Sequence, residues 1–307
     1  MDSRPGGDGG LVVYEDLPAG LPGTAPFAVV GDPQNALLVE RIFLGRESSP
    51  ADRERLFAHL AARRPAFLAI TGDLTSGSWS SRAWRTFDRA MAAMHQAGTP
   101  VLPVMGNHDY GIRRGTARRQ FASRFPPFRD ARWYARRYGR LAMLFLDSTA
   151  AALSREDWRR QRAWCEATLD ASDADPAIDG ILLFAHHPPF TNSTVTCDDR
   201  AVEAAFVPPF LRSRKTVAML SGHTHAYERF VEGGKHFIVT GGGGGPRVRL
   251  RKGAAQRHPD LFTGASPRPF HYLWMSPRPG GLEVAVEGAD KGSAAIATID
   301  RFDLPYG

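Results

Sequence analysis

The chain has 307 residues, 43% hydrophobic and 23% charged, with a formal net charge of +7, the balance of an ordinary globular protein with a substantial core. No apolar run approaches the roughly 20 residues of a membrane helix, and the opening MDSRPGGDGG has no basic region followed by an apolar core. The expectation is a soluble protein without membrane association, cytoplasmic by default and extracytoplasmic if a leader has been removed. Cys165 and Cys197 are the only cysteines, too few for a disulfide scaffold, although one bridge between them stays open.

Residues 1–25 are rich in Gly and Pro and read as a loose arm, followed by a single domain over 26–307. From there short apolar runs recur: PFAVV (26–30), AFLAI (66–70), VLPVM (101–105), LAMLFL (141–146), ILLFA (181–185), TVAML (216–220) and HFIVT (236–240). Each reads as a buried strand. Helical stretches lie between most of them. Ser49-Pro50-Ala51-Asp52 marks a helix start, with Pro at the first helical position and Leu56, Phe57 and Leu60 on one face. The stretches 81–96 and 154–169 are further helices, the second opening on Ser154 with Asp157 three residues later. Strands alternating with helices predict an α/β layered domain. At the end HYLWMS, a PRPGG turn, LEVAVEG and AAIATID predict antiparallel strands.

Ten arginines fall between Arg113 and Arg140 against one acid, Asp130. They are either a solvated basic surface or a basic rim that draws in phosphate, with Arg113 and Arg114 as candidate substrate contacts. Nucleic acid is not favoured as a partner, because no zinc-finger spacing, ribonucleoprotein motif or basic heptad region is present.

The chemistry sits just after the apolar runs. Five of them end in Gly31-Asp32-Pro33-Gln34, Gly72-Asp73, Gly106-Asn107-His108-Asp109, His186-His187-Pro188 and Ser221-Gly222-His223-Thr224-His225. In an open α/β sheet ligands bind beyond the carboxyl ends of strands, so these clusters would meet in one cleft. Any one of them alone is ordinary turn chemistry; five in this order point to a site. Carboxylate and amide oxygens together with imidazoles suit two divalent transition ions such as Mn, Fe, Zn or Co. Ions about 3.5–4 Å apart need a bridging carboxylate, for which Asp73 is the choice.

In this order the five motifs resemble the calcineurin-like metallophosphoesterases over roughly residues 26–245. GHTHAYERF and AHHPPFTNS are similar in particular to the purple acid phosphatase branch. The resemblance implies a four-layer α/β/β/α sandwich of two mixed sheets flanked by helices. It also implies a hydrolase of phosphorylated small molecules, with a hydroxide that bridges two ions attacking phosphorus in line. Phosphomonoesters are the expected substrates; a phosphodiesterase or nucleotide pyrophosphatase is the alternative, and a non-catalytic protein-binding scaffold the third. By motif, Asp32, Gln34, Asp73 and His225 would hold one ion, and Asp73, Asn107, His186 and His223 the other. Asn107 would also touch substrate. His186 is the ligand of its pair because it stands in His-x-Pro register, which leaves His187 as a substrate contact or as an orienting residue. His108 would stabilise the transition state or protonate the leaving group, with Asp109 orienting its ring.

Two departures stand out. Gln34 occupies a place where most relatives have His, and Ser76 stands where the purple branch has its tyrosine ligand, so a colourless protein with divalent metals is expected. The pentaglycine at 241–245 could offer N–H groups to an anion or simply turn. Tyr227 and Arg229 either pack and pair with Glu228 or line the cleft.

Overall fold

The computed structural model describes residues 11–36, 47 and 49–307. Two six-stranded mixed sheets carry the fold. In the first, β1 (Phe27–Val30), β2 (Leu68–Ile70) and β3 (Val101–Pro103) run parallel. β10 (Phe270–Arg278) pairs antiparallel with β1, and β11 (Gly281–Ala289) and β12 (Ala297–Pro305) extend the sheet as hairpins, giving the order β12-β11-β10-β1-β2-β3.

The second sheet has the order β4 (Tyr134–Tyr138), β5 (Leu141–Phe145), β6 (Gly180–Phe184), β7 (Thr216–Ser221), β9 (Lys235–Thr240), β8 (Tyr227–Glu232). Its parallel centre is β5, β6, β7 and β9, with antiparallel edges β4 and β8. Side chains alternate across a strand, and here that alternation divides the core. Met143, Phe145, Leu182 and Phe184 belong to the large apolar core that also holds residues of the first sheet, whereas Leu144, Ile181 and Leu183 join a second core. Helix α6 (Arg155–Ala174) supplies Cys165 and Leu169 to that second core, and α7 (Arg200–Arg212) supplies Phe206 and Phe210. Helix α1 (Pro50–Ala62) packs on β10. The result is the α/β/β/α layering that the motifs implied.

The helix starts fall where the sequence put them. Pro50 opens α1, and the Ser154 hydroxyl accepts from Asp157 N at 3.0 Å at the head of α6. The stretch 81–96 is broken at Met91 into α2 (Ser81–Ala90) and α3 (Ala92–Gln96). Two short helices follow β3: α4 (Asn107–Tyr110) and α5 (Arg114–Arg124).

Part of the N-terminal arm is not loose. Tyr14 is 1% and Leu17 7% exposed, Tyr14 N donates to Arg124 O at 2.8 Å, and Val101 N donates to Glu15 O at 3.0 Å. The stretch 11–25 lacks helix and strand but is fastened by these aromatic and backbone contacts; residues 1–10 lie outside the described ones. No disulfide forms either, since Cys165 is buried on α6 while Cys197 is exposed, and both are free. Among the described residues no helix is long and apolar enough to cross a membrane.

Candidate metal centre

The strand ends do converge. Asp32, Asp73 and His225 offer ligand atoms that all lie within 4.8 Å of one another, and so do His186, His187 and His223. The two groups meet at Asp73, whose Oδ2 is 3.4 Å from His186 Nε2. The same His186 nitrogen is 3.0 Å from Asn107 Oδ1, and His225 Nε2 is 3.4 Å from Asp32 Oδ1.

Backbone geometry explains how the side chains reach one place. Asp32, Asp73 and His223 have φ of 57°, 53° and 65°, a left-handed conformation that is uncommon outside glycine and that clusters at functional sites. It turns each strand end sharply and aims the side chain back across it. The glycines of the motifs have a steric reason. A Cβ on Gly72 would meet His186 Nδ1 at 2.5 Å, one on Gly106 would meet Asp73 Oδ1 at 2.1 Å, and one on Gly222 would meet Asp32 Oδ2 at 2.4 Å.

Hydrogen bonds to the backbone orient the ligand candidates. His186 Nδ1 lies 2.9 Å from Thr71 O and His225 Nδ1 lies 2.8 Å from Pro246 O. A carbonyl only accepts, so in both rings Nδ1 carries the proton and Nε2 is left toward the cluster. His223 N donates to both oxygens of Asp32, at 3.1 and 2.9 Å, and His108 N donates to Asp73 Oδ1 at 2.8 Å.

Among the described residues, two buried oxygens of the cluster have no hydrogen-bond partner, Gln34 Oε1 and Asp73 Oδ2. Buried polar atoms are normally paired, and leaving one unpaired costs about 1–3 kcal/mol. The electrostatics favour a cation. Burial pushes the His186 imidazolium down, yet the Asp73 carboxylate outweighs it and holds the group up at about 9. Burial also raises the Asp73 carboxyl, but the charges of His186, His108 and His223 together pull it well below the usual carboxylate range. For His223, burial and the neighbouring His186 charge hold the imidazole down at about 3. Oxygen and imidazole donors without thiolate fit a hard or borderline divalent ion.

Asp109 does something other than orient the ring of His108. Its Oδ2 accepts from Leu74 N at 3.2 Å and Gly106 N at 3.0 Å, and its Oδ1 from Thr75 N at 3.0 Å and Ser78 Oγ at 3.2 Å. The carboxylate therefore ties the Asp73 loop to the Asn107 loop. Burial and the nearby Asp73 charge raise its carboxyl to about 7. The His108 ring itself is partly exposed.

Arg113 and Arg114 are exposed at the start of α5, and Arg114 donates to the Ala151 carbonyl. Among the described residues no hydrogen bond or ion pair joins either to the cluster. Four other arginines of the basic segment have acidic partners: Arg124 with Asp88, Arg136 with Asp16, Arg137 with Asp175 and Arg140 with Asp179. Tyr227 and Arg229 pack, as one of the two readings had it, but their shared partner is Asp300 of β12 rather than Glu228. Glu228 instead accepts from Thr191 Oγ1 at 2.6 Å and Asn192 N at 2.7 Å. The Ser76 hydroxyl is engaged by the Asn35 carbonyl.

Two supporting residues escaped the sequence reading. Arg53 donates to Pro33 O at 3.1 Å and Asn35 Oδ1 at 2.6 Å and so holds the loop that bears Gln34. Ser148, two residues beyond the apolar run LAMLFL, bonds the His186-His187 segment. The signal for Ser148 was its place after a strand end, where the other motifs also lie.

The model of calcineurin-like phosphoesterases matches residues 25–227, and the chain belongs to this family. No curated protein matches its sequence. Among solved structures, a purple acid phosphatase from yellow lupin (Lupinus luteus) seeds is similar over 92% of this chain at 14% identity with a TM-score of 0.66, this chain spanning only 54% of the lupin one. A dimetal phosphatase from Danio rerio is similar over 93% of this chain and 100% of its own, at 14% identity and a TM-score of 0.63. The anchor protein of the inner membrane complex of Plasmodium is similar over 92% of this chain and 89% of its own, at 14% identity and a TM-score of 0.67. At that identity the likeness is one of fold.

Proposed function

We propose that the chain is a phosphomonoesterase that works with two divalent transition ions. The observation that carries this reading is the pair of buried, partnerless oxygens, Gln34 Oε1 and Asp73 Oδ2, in a site where further carboxylate, amide and imidazole donors converge. A cation satisfies such an arrangement. Asp32, Gln34, Asp73 and His225 would hold one ion and Asp73, Asn107, His186 and His223 the other. Ions so held would supply a water acidified to near neutral pKa and neutralise charge on the phosphoryl oxygens.

The chain's own residues do the rest. The half-exposed His108 ring, carried on the residue whose N–H binds Asp73, gives a proton to the leaving alkoxide oxygen. The amide of Asn107 orients a phosphoryl oxygen as well as serving the metal. With Ser76 in the place of a tyrosine, no phenolate is available to colour the site. The preference for monoesters rests on the likeness of GHTHAYERF and AHHPPFTNS to the purple acid phosphatase branch.

The test is hydrolysis of a chromogenic phosphomonoester beside the matching diester, after stripping metal and restoring Mn, Zn, Fe or Co singly, with Asp73→Ala as control. Monoester turnover that needs both metal and Asp73 supports the reading. Preference for the diester assigns the same centre to phosphodiester or pyrophosphate substrates. Silence on both with metal bound replaces catalysis by a scaffold role.

A further inference from the structure

His187 sits among the ligand candidates yet is bonded in the opposite sense. Ser148 Oγ accepts the backbone N–H of His186 at 3.0 Å and that of His187 at 2.9 Å, and it also lies 3.0 Å from His187 Nδ1. A serine hydroxyl has two acceptor lone pairs and one O–H. The two backbone donors fill the lone pairs, so the O–H points at Nδ1 and that nitrogen accepts. A neutral imidazole that accepts at one ring nitrogen carries its proton on the other. An imidazolium is disfavoured for the same reason, because its Nδ1–H would be a third donor aimed at an oxygen with no lone pair left.

The spacing alone suggests otherwise. One ring nitrogen each from His186, His187 and His223 lie within 4.8 Å of one another, a distance that suits three ligands to one ion. Ligation needs a free lone pair, however, and His187 has none: Nδ1 accepts from Ser148 and Nε2 is protonated. His186 and His225 differ, since their Nδ1 atoms face the carbonyls of Thr71 and Pro246 and their Nε2 atoms face the cluster oxygens of Asn107, Asp73 and Asp32, where an ion would sit. The His187 ring is partly exposed and packs 4.8 Å from that of His186 and 4.6 Å from that of His223, centroid to centroid. Its N–H is therefore a donor beside the ligand cluster.

We propose that Ser148 is a positioning residue that fixes His187 as an Nε2–H donor to a phosphoryl oxygen of the substrate, and that His187 is not a metal ligand. This rests on the phosphoester reading above.

Two measurements test it. In the zinc-loaded, nitrogen-15-labelled protein, long-range proton–nitrogen correlation of the imidazoles reports each tautomer without any turnover. His187 is expected to show a protonated Nε2 and an unprotonated Nδ1. Ser148→Thr should keep this pattern and Ser148→Ala should lose it. Binding of inorganic phosphate and metal content are then compared in His187→Phe: the metal count should stay the same while phosphate binds about tenfold more weakly, the loss of one hydrogen bond to a charged acceptor. His187→Gln serves for the same counts if the phenylalanine variant does not fold. A metal-bound His187 nitrogen, or a lost equivalent of metal in either His187 variant, overturns the proposal alone. Unchanged phosphate affinity in His187→Phe overturns the donor role. Absence of phosphate binding by the unmodified protein sinks the donor role together with the phosphoester reading.

Discussion

The carbonyl of Pro246 accepts a hydrogen bond from His225 Nδ1 at 2.8 Å, and the pentaglycine that leads into Pro246 is built to allow it. Gly243 N donates to Gly31 O at 2.7 Å and Gly245 N to Asp32 O at 2.9 Å, while Gly241 N donates to Ala226 O at 3.2 Å. Those N–H groups are directed at carbonyls rather than at an anion. The segment is a strap laid between Asp32 and His225. A Cβ on Gly241 would meet Thr224 O at 2.2 Å and Asp32 Oδ2 at 2.8 Å, and one on Gly245 would meet the His225 ring at 2.8 Å. Gly241→Ala is therefore expected to lower both melting temperature and metal retention, the latter by at least about tenfold if the Asp32 carboxylate is displaced. Gly115→Ala is the control. There the nearest atom to a new Cβ is Arg119 NH1 at 3.7 Å, so stability should hold or rise by about 0.5–1 kcal/mol as expected within a helix. Equal metal retention in the two variants, read by metal analysis after dialysis, would remove the strap from the metal site.

Gln34 is 3% exposed, and its Oε1 has no hydrogen-bond partner among the described residues, on a loop held by Arg53. An amide oxygen is a weaker donor than imidazole toward Zn, Co or Fe. Gln34→His is accordingly expected to slow loss of the more labile metal to a chelator by about tenfold, and Gln34→Leu to hasten it by a similar factor. If both variants release metal like the parent, Gln34 is not a ligand.

His108 and Asp109 are neighbours whose substitutions should fail differently. His108→Ala is expected to reduce kcat by about 10²- to 10⁴-fold with a smaller change in KM, as for a proton donor in the transition state, and to leave the melting temperature nearly unchanged because the ring is half exposed. Asp109→Asn turns an amide N–H₂ toward backbone donors that one carboxylate now accepts. It should lower stability by about 2–4 kcal/mol, measured by denaturant unfolding, with activity lost through the loops. A stable Asp109→Asn protein with impaired turnover alone would return Asp109 to orienting His108.

The contrast between these two residues shows what a linear sequence conveys. Asp32, Asp73, His223 and His225 were legible because each lies within a few residues of the end of a buried strand, and a strand end fixes where its next residues go. Asp109 was misplaced because Asn107 begins a helix, in which consecutive side chains diverge by about 100°. The carboxylate swings back onto Gly106 N while His108 points elsewhere. Ser148 went unread because its role depends on the backbone N–H groups of another strand's end, so that only its place after a strand end marked it. Strand β4, YARRY, was hidden for a different reason. It is an edge strand, and Arg136 and Arg137 are paired with Asp16 and Asp175 from elsewhere in the chain, so its charges obscured the alternation that marks a half-buried strand.

Glu228 gives the clearest pH signature outside the candidate metal centre. Burial is the main reason its carboxyl is raised, to about 7, with the Asp260 charge adding to it and the hydrogen bonds from Thr191 and Asn192 opposing it. In the unfolded chain the group titrates near its ordinary value of about 4.3. Between the two values the folded state holds a proton that the unfolded state has lost, so the Glu228 contribution to stability falls as pH rises through this window. Glu228→Gln keeps an oxygen for Asn192 N and a donor for Thr191 Oγ1 and removes the titration. The variant should be similar to the parent near pH 4 and gain relative to it as pH rises to 8, by at most about 4 kcal/mol. Urea unfolding of the metal-free proteins at pH 4.5, 6 and 8 reads this difference, which cancels the titration of every shared group. A constant difference across the three would mean that Glu228 is already ionised throughout the range and that Thr191 and Asn192 fully compensate its burial.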